Sequence, residues 1–423
     1  MKVEAISNQI IKPSKKTPND LRTLQLSVHD HMIAPVYVTA FLFYTKADSI
    51  SQDHISHKLK TSLSETLTRF HPFAGRINGL TVDCNDEGAV FAEARVVDDE
   101  CTLSGLIRSP DFESLQQLLP EAIPPTPTRP LLLVKSTYFQ CGGMAIAICI
   151  SHMVADATSL SSFVRSWTAM ARGESDDSAC PEFALTKIYP PANEAIKHPI
   201  DVDQADKKTR VTKRFVFVPS KIEELRFKAA SDAVPRPTRV QSVTSLIWRC
   251  VAASSEDTSR QKVLVQPANL RGKIPSLLSG NVIGNHFFST LTFHGKGEVQ
   301  ISETVKELQD RAKELSLLVQ GEEGSIGTKL VGELMGYASK LRCQNHEIYS
   351  VTSWCRLPLY DANFGWGTPV WVAGNVVLSS NNKTVLIDSK DGLGIEAWVT
   401  LHQEVMLLFE QNPDLLAFAS PNA

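Results

Sequence analysis

Short β-rich apolar runs alternate with amphipathic helical stripes along nearly the whole chain, and that alternation confines it to the α/β folds. Residues 35–45 (PVYVTAFLFYT) are dense in β-branched and aromatic types, which suit a pleated, packed surface and predict a strand. After it, Ile55, Leu59, Leu63, Leu67 and Phe70 recur at helical spacing on one face, and Pro72 forbids continuation. Strands are expected at 79–83 and 88–94. Leu131–Tyr138 and Met144–Ile150, turned at Gly142-Gly143, predict a hairpin. A helix then carries Leu160, Phe163, Val164, Trp167, Met170 and Ala171 on one stripe, with Gly173 just past its end. The second half reads as a strand at 212–218, helices near 220–230 and 241–253, a strand near 262–267 and a long helix near 301–319. Strands at 370–378 and 384–388 and a last helix over 400–411 complete it.

A chain of 423 residues exceeds what one hydrophobic core usually organises. Residues 173–208 are rich in Pro, Asp and Lys and sustain no apolar period, so they read as a linker. The expected division is an N-terminal domain over 1–180, a crossover linker over 181–208 and a C-terminal domain over 209–423. The net charge of −3 provides no basic field for a nucleic-acid backbone. Met1–Ser7 lacks the apolar core of a signal peptide. The greasiest stretch, Met32–Tyr44, is broken by Pro35 and Thr39 and falls short of the roughly 20 residues of a membrane helix. No prenylation or retention signal closes the chain, so a cytoplasmic protein without membrane association is expected. None of the 8 cysteines forms a Cys-x-x-Cys pair; they read as reduced, mostly buried thiols. The pairs His29/His31 and His54/His57 do not complete a zinc ligand set, and no metal site is expected.

His152 stands where a buried strand runs out and a helix begins, a position at the edge of a core where clefts form. Asp156 follows beside the helix start. Two readings fit His-x-x-x-Asp. Asp156 caps the helix beside a junction histidine, or His152 is a general base on a short loop that Asp156 holds. A Gly-x-Ser-x-Gly nucleophile elbow, a P-loop and a full dinucleotide fingerprint are all missing, the segment Asp391–Glu396 lacking the third glycine. A histidine base with no protein nucleophile points to direct attack by a bound substrate. The second conspicuous stretch runs from Thr352-Ser353-Trp354 to Asn363-Phe364-Gly365-Trp366-Gly367. It reads either as an aromatic packing loop, sharply turned by its glycines, or as a source of indole or hydroxyl donors for a developing oxyanion.

Together the two segments resemble the signature pair of the plant BAHD acyltransferases, His-x-x-x-Asp and Asp-Phe-Gly-Trp-Gly. Further blocks extend the likeness along nearly the whole chain: His71–Arg76, Val82–Asn85, Asn269-Leu270-Arg271 and Gly280–Asn285. The order and spacing are similar to the branch that acylates alkaloid and other specialised-metabolite alcohols. The resemblance implies two chloramphenicol-acetyltransferase-like domains with mixed β-sheets flanked by helices and an active-site channel between them. It implies His152 as general base in a ternary complex, with Asp156 as structural support paired to Arg271. Thr352 and Trp354 match positions that place and polarise the thioester carbonyl, and Ser353, Thr244 and Ser242 match the coenzyme A side. Asn363, Phe364, Gly365, Trp366 and Gly367 match a loop that supports the site from a distance. Asn363 departs from the family aspartate but keeps an acceptor oxygen of similar size. The implied donor is acetyl-CoA as cosubstrate, with no permanently bound cofactor. The acceptor is a small plant alcohol such as an alkaloid or terpenoid, and the chain is expected to act as a monomer. The alternatives are an idle small-molecule-binding family member and an N-acyltransferase acting on an amine.

Overall fold

The structure is a computed structural model and describes residues 1–46, 50–98, 100–121, 129–174, 180–193, 209–255, 260–274, 280–295, 297–320, 323–343, 346–374 and 382–421. Its chain divides into two compact units, residues 1–198 with 275–286 and 357–376, and residues 199–274 with 287–356 and 377–423. Two stretches of the second half therefore belong with the first unit. The segment 363–367, expected in a C-terminal domain, is one of them, because Trp371–Gly374 pairs antiparallel to Tyr37–Tyr44 as an edge of the first sheet. Most of the expected linker, 194–208, lies outside the described residues.

The first unit holds a six-stranded mixed sheet in the order Val3–Ile11, Ala89–Val96, Leu132–Tyr138, Met144–Ser151, Tyr37–Tyr44, Trp371–Gly374. Tyr37–Tyr44 and Met144–Ser151 are buried on both faces, which is why they read as continuous apolar runs instead of alternating ones. The expected hairpin forms between Leu132–Tyr138 and Met144–Ser151. Its turn needs Gly142 at φ +87, a left-handed backbone that other residues reach only with strain. The helix Gln52–Arg69 buries Ile55, Leu59, Leu63 and Leu67 as their spacing requires, and a 3₁₀ turn, His71–Ala74, takes over at Pro72. Helix Ala157–Ala171 buries Leu160, Phe163, Val164 and Trp167.

The second unit is built on a seven-stranded sheet in the order Phe287–His294, Gln261–Asn269, His346–Ser353, Asn382–Asp388, Ile395–His402, Arg210–Phe217, Ser420–Pro421. One face, with Tyr349, Val351, Leu386, Ala397 and Val399, packs on Leu246, Ile247, Val305 and Leu308 of helices Arg239–Ser254 and Ile301–Leu318. The last helix is Gln403–Phe409, shorter than expected, because 400–402 complete the strand Ile395–His402. Strand pairing along Arg210–Phe217 claims these residues before the helix can.

Of the described cysteines, Cys84, Cys149 and Cys250 are buried, Cys101 and Cys355 partly so, while Cys141 and Cys180 are exposed. The expectation of mostly buried thiols fails at those last two, Cys141 in a tight turn and Cys180 at an exposed position ahead of Phe183. Among the described residues no helix is long and apolar enough to cross a membrane.

Candidate active site

His152 follows the last residue of the strand Met144–Ser151, and its backbone N–H donates to the Val36 carbonyl at 2.8 Å. The strand end and the helix at 157 thus hold the residue in a short, fixed turn. Its imidazole Nδ1 lies 3.0 Å from Asn285 Oδ1. The orientation of that amide is decided by its other end. Asn285 Nδ2 donates to the His152 carbonyl at 2.7 Å and to Asp30 Oδ1 at 2.9 Å, both of which can only accept. The oxygen must therefore face the imidazole, Nδ1 must carry the proton, and Nε2 is left as the basic nitrogen. Burial lowers the His152 pKa below the ordinary 6.5, against smaller opposing contributions from the Asp156 charge, the backbone of His152 and Ala155, and the Asn285 side chain. The ring is neutral at physiological pH.

Behind this pair lies a dense polar layer. Asp30 accepts from Asn285 N and Nδ2 on one oxygen and from Ser27 N and Oγ on the other. Burial pushes the Asp30 pKa up, while these four donors favour its carboxylate. His29 Nδ1 meets the Asn285 carbonyl at 2.7 Å, and burial lowers its pKa. None of Asp30, His29 or Asn285 is singled out by spacing. His29 reads from sequence only as half of a histidine pair and Asn285 as one position of the Gly280–Asn285 block, while nothing in the sequence marks Asp30, which the structure shows closing a capping box on Ser27.

Asp156 is the N-cap of helix Ala157–Ala171. Oδ1 accepts from Ser159 N at 2.8 Å and Ser159 Oγ at 2.9 Å, and Oδ2 accepts from His286 N at 3.1 Å. The capping reading is therefore right, and the carboxylate also ties the His152 turn to residues 284–286. Ser159 Oγ completes that tie through the Gly284 carbonyl and N–H, each at 3.0 Å. Arg271 belongs to the other unit, where its N–H and guanidinium meet Asn269 Oδ1.

The loop Asn363–Gly367 sits at the far end of the same helix. Phe364 is edge-on to Trp167 at 4.8 Å and stacks on Trp366 at 5.4 Å, and Arg172 donates to the Asn363 carbonyl. Trp167 lies about 16 Å along the helix from Asp156 at the usual rise per residue. The loop can brace that helix but cannot touch chemistry at its other end. Asn363 Oδ1 accepts from Gly365 N at 2.7 Å and Gly367 N at 3.1 Å, and both glycines have φ +107.

In the second unit Thr352 and Ser353 end the strand His346–Ser353, Thr352 half-buried and Ser353 exposed. Trp354, 3% exposed, is fastened by its backbone N–H, which donates to the Leu386 carbonyl at 2.7 Å. Arg356 follows in a left-handed conformation and donates from its backbone to Asp388 at 2.6 Å. Ser242 and Thr244 are wholly buried on the helix Arg239–Ser254. Ser242 Oγ is spent on the Thr238 carbonyl at 3.0 Å, a poor position from which to hold coenzyme A.

A family model described as "Transferase family" matches residues 1–416. The chain is 39% identical to BAHD acyltransferase BIA1 of Arabidopsis thaliana, covering 100% of this chain and 98% of that protein. It is 33% identical to limonoid 1-O-acetyltransferase of Citrus sinensis, over 99% of each chain. Its fold matches the crystal structure of vinorine synthase with a TM-score of 0.84 and 31% identity, over 99% of each chain.

Proposed function

The chain belongs to the BAHD acyltransferases and is an acyltransferase, and from that premise we propose that it moves an acetyl group from acetyl-CoA to a hydroxyl of a plant specialised metabolite. His152 is the general base. One observation carries this reading: the Asn285 amide, turned by its two acceptors, puts the proton on Nδ1 and leaves Nε2 basic on a neutral, buried ring. The acceptor hydroxyl attacks the thioester carbon as Nε2 takes its proton. The tetrahedral oxyanion collapses, the C–S bond breaks, and the imidazolium returns the proton to the departing thiolate. No bond to the protein forms. Thr352 and Trp354 are assigned the placing and polarising of the thioester carbonyl, on the strength of their match to the family motif.

A polycyclic alcohol of alkaloid or terpenoid type is the proposed acceptor, and limonoid 1-O-acetyltransferase is a relative whose name describes such a reaction. Acetyl-CoA turnover against a panel of such alcohols, followed by mass spectrometry, tests it. An ester product absent from His152→Ala supports the reading. Amide products alone would move the function to N-acylation, and no product with any acyl-CoA would leave a binding protein.

A further inference from the structure

Successive residues of a strand point to opposite faces, so the seven-stranded sheet has a second face. It carries Ser350 and Thr352, Lys383 and Val385, and Trp398 and Thr400, the neighbours in sequence of the core residues on the first. Among the described residues, two cations stand on this face away from its ends. Arg214, opposite Trp398, is paired with Glu396 at 3.4 Å, as a buried charge normally is. Lys383 has no such partner. It is partly buried and stands in the ladder between Ser350 on one strand and Thr400 on the next, the Thr400 hydroxyl being bonded to that of Thr212 at 2.8 Å, and among the described residues no carboxylate pairs with it. Burial alone lowers its pKa to about 8.

An unpaired, desolvated ammonium costs stability, and a β-branched residue would suit the strand better. An ammonium on a strand whose ladder neighbours, Ser350 and Thr400, both carry hydroxyls on the same face is, however, what a carboxylate needs, since charge-assisted hydrogen bonds are the strong ones. We propose that Lys383, with Ser350 and Thr400, binds a carboxylate carried by one of the substrates. Thr352 lies two residues along from Ser350 on the same face, about 7 Å away, so a group held by Lys383 belongs to a molecule whose reacting end reaches Thr352. This step rests on the assignment of Thr352 above. Such a carboxylate has two sources: an acidic acceptor, which leaves acetyl-CoA as the donor, or a dicarboxylic acyl thioester, which would take the place of acetyl-CoA.

Calorimetric titration separates them without needing turnover. The probes are malonyl-CoA against acetyl-CoA, and 3-hydroxybenzoate against its methyl ester, each with the parent protein, Lys383→Met and Lys383→Arg. In the parent, the anionic member of one pair should bind at least tenfold more tightly than its neutral counterpart. A preference in the first pair makes the donor the source, and one in the second makes it the acceptor. Lys383→Met should erase that preference and leave the neutral probe unchanged, while Lys383→Arg keeps part of it. Neither pair showing a preference in the parent, or a preference that survives Lys383→Met, overturns the proposal. Because the titration reads binding alone, it gives the same answer in a His152→Ala background, and a failure of the catalytic reading stays distinguishable.

Discussion

Removing the imidazole at position 152 should lower kcat by about 10²–10⁴-fold, the usual worth of a positioned general base. The melting temperature should change little, since the turn is held by backbone bonds to Val36 and by Asp156. Near-normal turnover of a folded His152→Ala protein would refute the assignment. The direction of the His152 pKa gives a second check. Burial lowers it, and the reactive form is the neutral one, so the acid limb of kcat/KM should lie below pH 6.5. A limb above that value would mean another group titrates. At Asn363 the restored family aspartate should change kcat/KM less than tenfold, because either side chain can accept from Gly365 and Gly367. Arg172 donates to the Asn363 carbonyl, and the Lys58 ammonium lies where a side chain on Gly365 would point, so the new charge meets cations. Asn363→Asp should therefore gain stability, by the order of 1 kcal/mol, read as a rise in melting temperature. The His152 motif was legible through its likeness to the family signature, since its place at a strand–helix junction by itself left two readings open. Asn285 and Asp30 were not, since their effect on the ring depends on an amide orientation that three distant chain segments decide together.

At the scale of elements, helix Ala157–Ala171 links the two signature segments. Asp156 caps one end, and Trp167 and Arg172 receive the Phe364 loop near the other. Asp156→Ala should cost about 2–4 kcal/mol, combining a lost cap with a stranded His286 N–H. Activity should fall with it, as the His152 turn loosens. Denaturant midpoints of the single and double variants with Arg271→Ala test the ion pair that the resemblance implies: a sub-additive double loss supports it, and additive losses exclude it. The strands at 37–44 and 144–151 and the helices at 52–69 and 157–171 were readable because sustained apolar patterns produced them. Val3–Ile11 and His346–Ser353 were not, since edge and half-buried strands carry polar residues such as Asn8, Gln9, Ser350 and Ser353 that dilute the alternation.

For the whole molecule, initial-rate plots against acyl-CoA and alcohol should intersect, as a ternary complex without a covalent acyl-enzyme requires. Parallel lines, or an acylated protein in the mass spectrum, would contradict the mechanism. A fragment ending at residue 208 should fail to melt cooperatively, because the first sheet lacks its edge strand Trp371–Gly374 and Asp156 its partner His286. Sequence by itself determined the α/β class, the family and the helix beside His152, because each is written in local periodicity or in a contiguous motif. Only the tertiary structure decided that residues 275–286 and 357–376 complete the first unit, which imidazole nitrogen is basic, and that Lys383 has no counter-charge among the described residues. The first two outcomes depend on pairings between segments more than 100 residues apart, and no window along the chain contains both partners.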